Sequence, residues 1–501
     1  MSSIQPTYSQ LLSLAIPQMI LVGTALLAMS IDLLALRRAT LSTRSAATAI
    51  LGSLGCAAAA AYIAIIHPNG NLLGGVLLGN AFIQLLQIAI LALTIAVLLL
   101  AAGSTFTRHV GEYVLLILMA TVGMLFLVAT QDLLVIFVSI ELLSLSLYTL
   151  AAFNKQSRFS WEAALKYFLF GGMSAAFLLF GFSLLYGLSN STSLSEIGAH
   201  IHGLSPLLAI AIVCVAVGLG FKVAAAPFHF WAPDIYQAAP APSAAFIASG
   251  SKVASFIVFF QLASIGFAGA QGSATWGHFV RGWIPVIALV AALSMVLGNF
   301  VAIRQSSVRR LLAYSAVAHA GYMLLALTAH TPQSLAALVY YVVTYSAATI
   351  GAFAVLSIVE AQTGSDRIGD LPGLSRREPV LSFCLAIFLL SLAGIPPLAG
   401  FFGKFYLFVA ALQSSPESMP LLWLVILAIA TSAVSLYYYL RVLKASYITT
   451  PESSAALTSG RVSGEEIPRV LCVLLAAAVV LLGAWPSLLL RPLLNALPRV
   501  F

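Results

Sequence analysis

Long apolar segments follow one another along almost the whole of this 501-residue sequence. Each has about 20 residues or more, which is enough for a helix to cross the ~30 Å hydrocarbon core of a bilayer. Only 8% of the residues are charged, whereas a soluble domain carries roughly a quarter. The sequence therefore predicts an all-α integral membrane protein with few long loops and no separate soluble domain.

The apolar pattern predicts fourteen membrane spans. They lie at about residues 11–36, 46–66, 78–102, 110–129, 132–153, 162–189, 207–238, 242–267, 283–303, 308–329, 333–360, 380–412, 421–448 and 468–490. No lysine or arginine precedes the first span, so the start lacks the basic region of a signal peptide. We therefore expect the first helix to remain in the protein.

Basic residues are divided unequally between the two sides of this bundle. Sixteen of the 23 lysines and arginines fall on one side, namely Arg37, Arg38, Arg44, Arg108, Lys155, Arg158, Arg304, Arg309, Arg310, Arg367, Arg376, Arg377, Arg441, Lys444, Arg461 and Arg469. The opposite side receives three, which are Arg281, Arg491 and Arg499. Because basic loops stay in the cytoplasm, both termini are predicted to lie on the outer, periplasmic side.

Two of the spans contain prolines in their interior. The span at 207–238 contains Pro227, and the span at 380–412 contains Pro396 and Pro397. Such prolines free backbone carbonyls that neighbouring helices or water must satisfy. The two spans are five helices apart and each carries a lysine near its break, as in transporters built from inverted repeats. We therefore expect discontinuous helices at both places within two inverted five-helix repeats, the alternative being a chance match.

These repeats divide the chain into four predicted parts. Residues 1–109 form a three-helix N-terminal segment, 110–267 the first repeat, and 268–448 the second repeat. Residues 449–501 contain a cytoplasmic loop and the last span. The division predicts that residues important for function lie beside the two interrupted spans.

Four charged residues lie deep within predicted spans, namely Glu141, Lys222, Lys252 and Lys404. A charge at the bilayer centre costs at least ~2.5 to 3.5 kcal/mol, so such residues are functional candidates. Burial disfavours the charged form of each group and an opposite charge restores it, so a buried lysine whose partner moves away becomes able to release its proton. A static ion pair would explain Glu141 and one lysine only. The excess of lysine favours a proton relay over a metal site, which prefers oxygen ligands.

Three further residues are secondary candidates for the relay. Lys166 lies five residues after Trp161. The alternative for Lys166 is a structural lysine whose ammonium extends to the cytoplasmic interface. The same alternative, an ammonium that extends to water, applies to Lys222. His229 follows the first proline break and His319 lies in the middle of its span. A hydrogen-bonded core histidine is the alternative for both.

Other kinds of site lack their motifs in this sequence. The cysteines Cys56, Cys214, Cys384 and Cys472 are each isolated in apolar runs and fit no metal, haem or disulfide spacing. Phosphate-binding loops, nucleophile elbows and zinc motifs are missing as well. The net charge of +8 is explained by loop topology, so we expect no nucleic-acid partner.

Five stretches carry a recognisable pattern: QDLLVIFVSIELLSLSLY, GLGFKVAAAPFHFWAPDIYQAAPAPSAAF, SGSKVASF, SSVRRLLAYSAVAHAGYM and GIPPLAGFFGKFYLF. Together they resemble the antiporter-like subunits of respiratory complex I, above all the subunit N type of the bacterial enzyme, which corresponds to subunit 2 in mitochondria and has a related form in plastids. Lys404 and the lack of a lateral helix beyond the fourteenth span favour this type over the M and L types. The resemblance covers most of the chain.

The resemblance implies a proton-translocating subunit of NADH-quinone oxidoreductase, an enzyme of the translocase class. Glu141 and Lys222 would be the coupled acid and lysine of the first half-channel, Lys252 the central relay, and Lys404 the lysine of the second half-channel. NADH or another donor, FMN, iron-sulfur clusters and quinone would be used by the whole complex, with no cofactor or metal in this chain.

The resemblance also implies a setting for the chain. Its partners would be M-like, K-like and J-like membrane-arm subunits, the lipid bilayer and, through those subunits, the quinone-site and peripheral-arm subunits. It would lie in the cell inner membrane or, alternatively, in a thylakoid membrane. Lys166, His229 and His319 match positions near the hydrophilic axis of the family.

Two other functions remain open on sequence grounds. Subunits of multisubunit cation/proton antiporters and of membrane-bound hydrogenases share this kind of fold. A stand-alone secondary transporter would bind a small solute at the broken helices.

Overall fold

The computed structural model describes residues 8–104, 106–414, 419–449 and 465–497. The first helices are α1 Tyr8–Leu34, α2 Leu41–Ile66, α3 Ala81–Ala101, α4 Val110–Val128, α5 Leu133–Ala151, α6 Arg158–Ser189 and α7 Leu194–His200. The middle helices are α8 Pro206–Lys222, α9 Trp231–Ala238, α10 Ala241–Ala248, α11 Gly250–Gln261, α12 Trp283–Ile303 and α13 Val308–Ala329. The last are α14 Pro332–Thr363, α15 Leu374–Arg377, α16 Pro379–Ala393, α17 Ala399–Gln413, α18 Leu422–Tyr447, α19 Glu466–Ala484 and α20 Ser487–Ala496.

The predicted all-α membrane fold is confirmed in the described part of the chain. Twelve helical stretches there are long and apolar enough to cross a membrane. Two further predicted spans each consist of two shorter helices, α8 with α9 and α16 with α17. Together they occupy the fourteen predicted positions. Residues 450–464, most of the predicted long loop, lie outside the described residues, as do Arg461 and Arg499.

Several helices begin at a side chain that accepts a hydrogen bond from the first turn. These caps are Thr40, Asn80, Asp132, Ser157, Ser205, Ser307 and Thr331. The first backbone N–H groups of a helix have no partner within it, and a hydroxyl, amide or carboxylate oxygen supplies one. The polar residues between the apolar segments thus fix where many of the spans begin.

The first predicted interruption separates α8 from α9 around Pro227. The amide of Ala226 donates to the hydroxyl of Ser294 on α12 at 2.8 Å. The indole Nε1 of Trp231 donates to the carbonyl of Phe221 at 3.1 Å. Side chains therefore satisfy backbone groups that the break leaves outside the helical pattern, which is the requirement for irregular backbone inside a membrane bundle.

The second predicted interruption separates α16 from α17. The amide of Gly400 donates to the hydroxyl of Ser391 at 3.1 Å. The carbonyl of Ala393, the last residue of α16, accepts a hydrogen bond from Nζ of Lys404 at 3.0 Å. In this break a buried lysine itself satisfies a carbonyl at the end of the first half-helix.

A third interruption was not predicted from the sequence. The span expected to be continuous at 242–267 is broken at Ser249 between α10 and α11, three residues before Lys252. The Ser249 hydroxyl donates to the Ala245 carbonyl at 2.6 Å. The span ends in a π-helical turn at Leu262–Gly266. The only sequence signal of the break is the Ser-Gly-Ser run, which lowers helix propensity.

Two short antiparallel hairpins lie between spans and were also not predicted. Strand β1 Gly70–Leu72 pairs with β2 Leu77–Gly79, and β3 Ser273–Thr275 pairs with β4 His278–Val280. Three-residue strands are too short to produce a readable alternation of apolar and polar residues. Both hairpins follow an even-numbered span, and so lie on the predicted outer side.

A buried ion pair joins three N-terminal helices. Asp32 on α1 is fully buried and binds Arg44 on α2 through Nε at 2.7 Å and Nη2 at 2.8 Å. The amide of Gly111 on α4 donates to the same carboxylate at 3.0 Å. The bidentate geometry and the third donor satisfy most of the lone pairs of a carboxylate that is removed from water.

Candidate functional site

The first buried lysine, Lys222, is the last residue of α8 and is 9% exposed. Its ammonium donates to the hydroxyl of Ser144 and, at 3.4 Å, to the hydroxyl of Tyr148. It also lies 5.6 Å from the ring centroids of Tyr148 and Phe221. Neutral hydroxyls of α5 and aromatic faces, rather than a carboxylate, hold this ammonium.

Glu141 lies on the same face of α5, three residues before Ser144 and seven before Tyr148. Glu141 lies about one turn of α5 before Ser144, the hydrogen-bond partner of Lys222, but Glu141 and Lys222 form no direct ion pair. The Oε1 atom of Glu141 is buried and has no hydrogen-bond partner among the described residues. Glu141 and Lys222, which the resemblance assigns as a coupled pair, are therefore neighbours. The direct hydrogen-bond partner of Lys222 is the Ser144 hydroxyl.

The second buried lysine, Lys252, lies on α11 and is 1% exposed. Its Nζ donates to the carbonyl of Ala316 on α13 at 2.9 Å. The ammonium also lies 5.5 Å from the ring centroid of Tyr345 on α14. A cation over an aromatic face is attracted by the quadrupole of the ring, most strongly when desolvated.

His319 lies on α13 and is 2% exposed. Its Nδ1 is 2.6 Å from the hydroxyl of Tyr341, and its Nε2 is 3.2 Å from the hydroxyl of Tyr439. The Tyr439 hydroxyl is in turn hydrogen-bonded to the Ser315 hydroxyl. Both ring nitrogens therefore contact groups that can donate or accept a proton, and a neutral imidazole needs one of each.

His319 is joined to Lys252 and to Lys404 through contacts with two tyrosine rings, those of Tyr345 and Tyr322. The Tyr345 ring contacts Lys252 on one side and the His319 ring, at a centroid distance of 4.9 Å, on the other. The Tyr322 ring is 5.7 Å from the His319 ring, and the Lys404 ammonium lies 5.1 Å from its centroid. Tyrosine rings thus separate the histidine from each lysine.

The third buried lysine, Lys404, lies on α17 and is 4% exposed. Its Nζ donates to the Ala393 carbonyl at 3.0 Å and to the Ser432 hydroxyl on α18 at 2.8 Å. No ion pair to a carboxylate is present among the described residues. Like Lys222, this ammonium is held by neutral oxygen atoms.

At the two interruptions predicted from the sequence, a lysine lies at or binds to the C-terminal end of the first half-helix. Lys222 is the last residue of α8, and Lys404 binds the carbonyl of Ala393, the last residue of α16. The carbonyls at a helix C-terminus carry roughly half a negative elementary charge. This partial charge favours an ammonium without the need for a carboxylate, and at the second break the Lys404 ammonium binds such a carbonyl directly.

Sequence reasoning missed a polar stripe on α18. Its members are Thr431, Ser432, Ser435, Tyr438 and Tyr439. The Tyr438 hydroxyl donates to Oδ1 of Asn299 at 3.0 Å, and Nδ2 of Asn299 donates to the Tyr322 hydroxyl at 3.0 Å. This stripe continues the hydrogen-bonded region from His319 to Lys404. The sequence signal for this stripe is the helical spacing of its hydroxyl residues. Because these residues are uncharged, they did not stand out within an apolar span.

Lys166 lies in a different part of the protein, in a charged network at one end of the bundle. Its side chain is 42% exposed and pairs with Glu162 at 2.7 Å and Asp234 at 3.1 Å. Asp234 also pairs with Arg310 at 2.8 Å. These residues line a cavity of about 940 Å³. The structure thus brings together Lys252, His319 and Lys404, and leaves Lys166 outside this group.

His229 lies between α8 and α9 and is 6% exposed. Its ring is 4.8 Å from the ring of Phe230 and 6.2 Å from that of Tyr314. Its Nδ1 atom is buried and has no hydrogen-bond partner in the described part of the chain. His229 forms no hydrogen bond with any of the three buried lysines.

Interrupted helices and a line of protonatable side chains within an apolar bundle define a multi-pass membrane protein of the ion-translocating class. Residues 130–431 match the family described as NADH:quinone oxidoreductase/Mrp antiporter, transmembrane, and the chain belongs to this family. It is similar to NADH-quinone oxidoreductase subunit N 2 of Acidobacterium capsulatum, with 53% identity over 494 residues that cover 97% of this chain and 99% of the relative.

Two solved structures show a similar fold. A chain of respiratory complex I from Thermus thermophilus with bound aureothin is 34% identical and has a TM-score of 0.77, covering 95% of this chain and 98% of that one. A chain of the Mrp complex from a Dietzia species has a TM-score of 0.80 and covers 97% of each chain. At 21% identity the second likeness concerns the fold alone.

Proposed function

We propose that this chain is a proton-translocating membrane-arm subunit, of the subunit N type, of a bacterial NADH-quinone oxidoreductase. The proton relay comprises Glu141, Lys222, Lys252 and Lys404, with His319 between the last two. The identity to relatives named as subunit N and to a chain of respiratory complex I supports the enzyme. The buried lysines support the proton step.

One observation carries the proposal. Three lysines with 9%, 1% and 4% exposure are each held by carbonyl or hydroxyl oxygens instead of carboxylates. When an ammonium bound to a buried carboxylate releases its proton, an uncompensated negative charge remains, and that is costly. Release from an ammonium bound to neutral oxygens leaves its direct hydrogen-bond partners neutral. Such lysines are suited to alternate between charged and neutral forms.

The second half of the relay has the groups that proton transfer needs. Imidazole and hydroxyl groups can each donate and accept a hydrogen bond, whereas an ammonium can only donate. His319 has hydroxyls at both ring nitrogens, and the rings of Tyr345 and Tyr322 join it to Lys252 and Lys404. A proton released by Lys252 is therefore received by the His319 region and passed towards Lys404 along the hydroxyl stripe of α18.

Electron transfer takes place in other subunits under this proposal. NADH or another donor, FMN, iron-sulfur clusters and quinone are bound there, and the partners of this chain are M-like, K-like and J-like membrane-arm subunits. The chain lies in the cell inner membrane with both termini on the periplasmic side. Lys166, in the charged network at the 940 Å³ cavity, then lies at the cytoplasmic entrance.

The test compares two lysine variants in the whole complex. Lys222→Met keeps an apolar chain of similar length but removes the ammonium, and Lys444→Met removes an exposed lysine near the end of α18. Each complex is checked for assembly and reconstituted in vesicles, where NADH oxidation and internal acidification are followed together. We expect Lys222→Met to lower acidification per NADH at least about tenfold, and Lys444→Met to leave it unchanged.

The same assay with Glu141→Gln completes the test. We expect a loss of acidification there too, because the carboxylate one turn of α5 before Ser144, the partner of Lys222, is removed. An assembled complex that pumps normally with both Lys222→Met and Glu141→Gln contradicts the proposal.

A cation/proton antiporter subunit is the second candidate, and the likeness of fold to the Mrp chain favours it. A tagged chain purified in mild detergent distinguishes the two. Co-purification of flavin or iron-sulfur subunits with NADH-driven quinone reduction supports the first proposal. Partners without redox centres, together with proton movement driven by a sodium gradient, support the second.

A further inference from the structure

Three arginines meet at one cavity at the end of the bundle that is predicted to be cytoplasmic. Arg304 follows the last residue of α12, Arg367 lies in the loop after α14, and Arg441 lies near the end of α18. All three line a cavity of about 520 Å³. Among the described residues one carboxylate, that of Asp370, lines it as well, so the formal charge of the lining is +2. The positive-inside rule explains the side of these arginines, but not their convergence from distant parts of the chain.

Backbone pairing holds the two loops of this cavity together. Ser307 and Arg367 face each other in an antiparallel β-bridge. The amide of Ile368 donates to the carbonyl of Ser306 at 2.9 Å. The loop that carries Arg367 is therefore fixed beside the segment that follows Arg304, and the cavity is part of the folded structure.

The positive charges of this cavity are not neutralised by the protein. Arg441 donates through Nη1 to the carbonyl of Ile303 at 2.6 Å and through Nη2 to the carbonyl of Gln305. These carbonyls orient the guanidinium but supply no negative charge. Arg304 and Arg367 are exposed and form no ion pair with any described residue. Because a guanidinium keeps its proton, the cavity is a permanent site of positive charge with two side chains available to an anion.

Exposed apolar side chains lie next to this cavity on the membrane side. Phe300 lies one turn before Arg304 on α12 and is 54% exposed. Tyr437 lies one turn before Arg441 on α18 and is 59% exposed. Residues spaced by four share one face of a helix, and α12 packs against α18. The same two helices therefore present cations at the end of the membrane span and aromatic rings one turn deeper.

We propose that this cavity binds the phosphate of an anionic phospholipid, with Arg304 and Arg367 as direct ligands and the acyl chains against Phe300 and Tyr437. The planar fork of a guanidinium pairs with two phosphate oxygens at once. Basic pockets between membrane helices on the cytoplasmic side are suited to lipid headgroups. The positive lining favours phosphatidylglycerol, which has a net negative charge, over phosphatidylethanolamine, which is neutral overall.

Photo-crosslinking in the whole complex tests this site. The complex is reconstituted in phosphatidylethanolamine vesicles that contain a small fraction of phosphatidylglycerol with a photoreactive group in one acyl chain. After irradiation, mass spectrometry of peptides from this chain locates the label. We expect label on α12 around Phe300 and on α18 around Tyr437. Photoreactive phosphatidylethanolamine, used in the same way, should label these places much less.

Two double variants show whether the arginines are responsible. Arg304→Gln with Arg367→Gln removes both proposed ligands, and the complex should still assemble because neither side chain has an ion pair among the described residues. We expect label at Phe300 and Tyr437 to fall at least about tenfold, since even one hydrogen bond between charged groups contributes about that factor. Arg37→Gln with Arg38→Gln is the matched control. It removes the same charge from exposed arginines after α1 and should leave the label unchanged.

Three results would overturn the inference. Equal labelling by the two lipids, or labelling that survives in Arg304→Gln with Arg367→Gln, means that lipids contact this face without recognition. Displacement of the label by excess inorganic phosphate, but not by chloride at equal ionic strength, identifies a site for free phosphate instead. An assembled complex without label on either helix means that another subunit covers this face.

Discussion

Gly171 on α6 offers a steric test of the Lys222 site. A methyl group added there would lie 1.9 Å from the Tyr148 hydroxyl oxygen and 2.5 Å from the adjoining ring carbon. Reaching the 3.4 Å of an ordinary contact requires Tyr148 to move by about 1.5 Å. Its hydrogen bond from Lys222 is already 3.4 Å long, so this movement breaks it. Gly171→Ala therefore removes a partner of the lysine without altering any polar group.

The expected magnitude follows from that one bond. Hydrogen bonds to charged groups contribute roughly 1.5 to 3 kcal/mol, and a long bond belongs at the lower end. A change of about 1.5 kcal/mol in the barrier lowers a rate about tenfold. We expect Gly171→Ala to lower acidification per NADH by about that factor. Gly172→Ala is the control, because a methyl group there meets nothing within 4 Å while the gain in helix propensity is the same. Equal acidification in the two variants would refute a role for Tyr148.

Three further predictions test the second half and the ion pairs. Gly394→Ala should lower acidification several-fold, because its methyl group would lie 3.1 Å from Cδ of Lys404. Gly364→Ala is its control, since this glycine has a similar positive φ and its methyl group would meet nothing within 4 Å. The control should lower stability but not acidification. Arg469→Gln should lower the stability of the assembled complex by about 1 to 3 kcal/mol in thermal melts, since Arg469 binds Glu378 at 2.7 Å and Glu465 at 2.8 Å. Asp32→Asn and Arg44→Gln should each cost about 3 to 5 kcal/mol, and the double variant less than their sum, because a lone buried charge is worse than none.

Features with a strong apolar or proline signal could be predicted from the sequence, and weaker ones could not. The length of the apolar runs predicts the fourteen spans, and the prolines within two of them predict the breaks near Pro227 and Pro396. The position of three lysines deep within apolar runs predicts their burial. The break at Ser249 was missed because a Ser-Gly-Ser run is tolerated within many helices. The partners of the lysines come from other helices, and a single sequence gives no distances between helices.

The same limit explains the missed residues of the site. Tyr439 and Ser432 on α18 are uncharged, so neither stood out within an apolar span. Asn299, which joins Tyr438 to Tyr322, is one polar residue in a long helix. Hydroxyl and amide groups acquire their importance from what they face, and that depends on packing.

The chain holds its arginines and its deep lysines in different ways. Four of the described arginines pair with carboxylates, among them Arg44 with Asp32 and Arg309 with Glu360. A guanidinium does not lose its proton in proteins, so such a pair is a permanent connection between helices. The three deep lysines bind neutral oxygens, and the one described lysine that pairs with carboxylates, Lys166, is at the half-exposed end of the bundle. The buried or half-buried arginines Arg44 and Arg309 are thus held by carboxylates, whereas the three deep lysines, which can lose their charge, are bound directly by neutral oxygens.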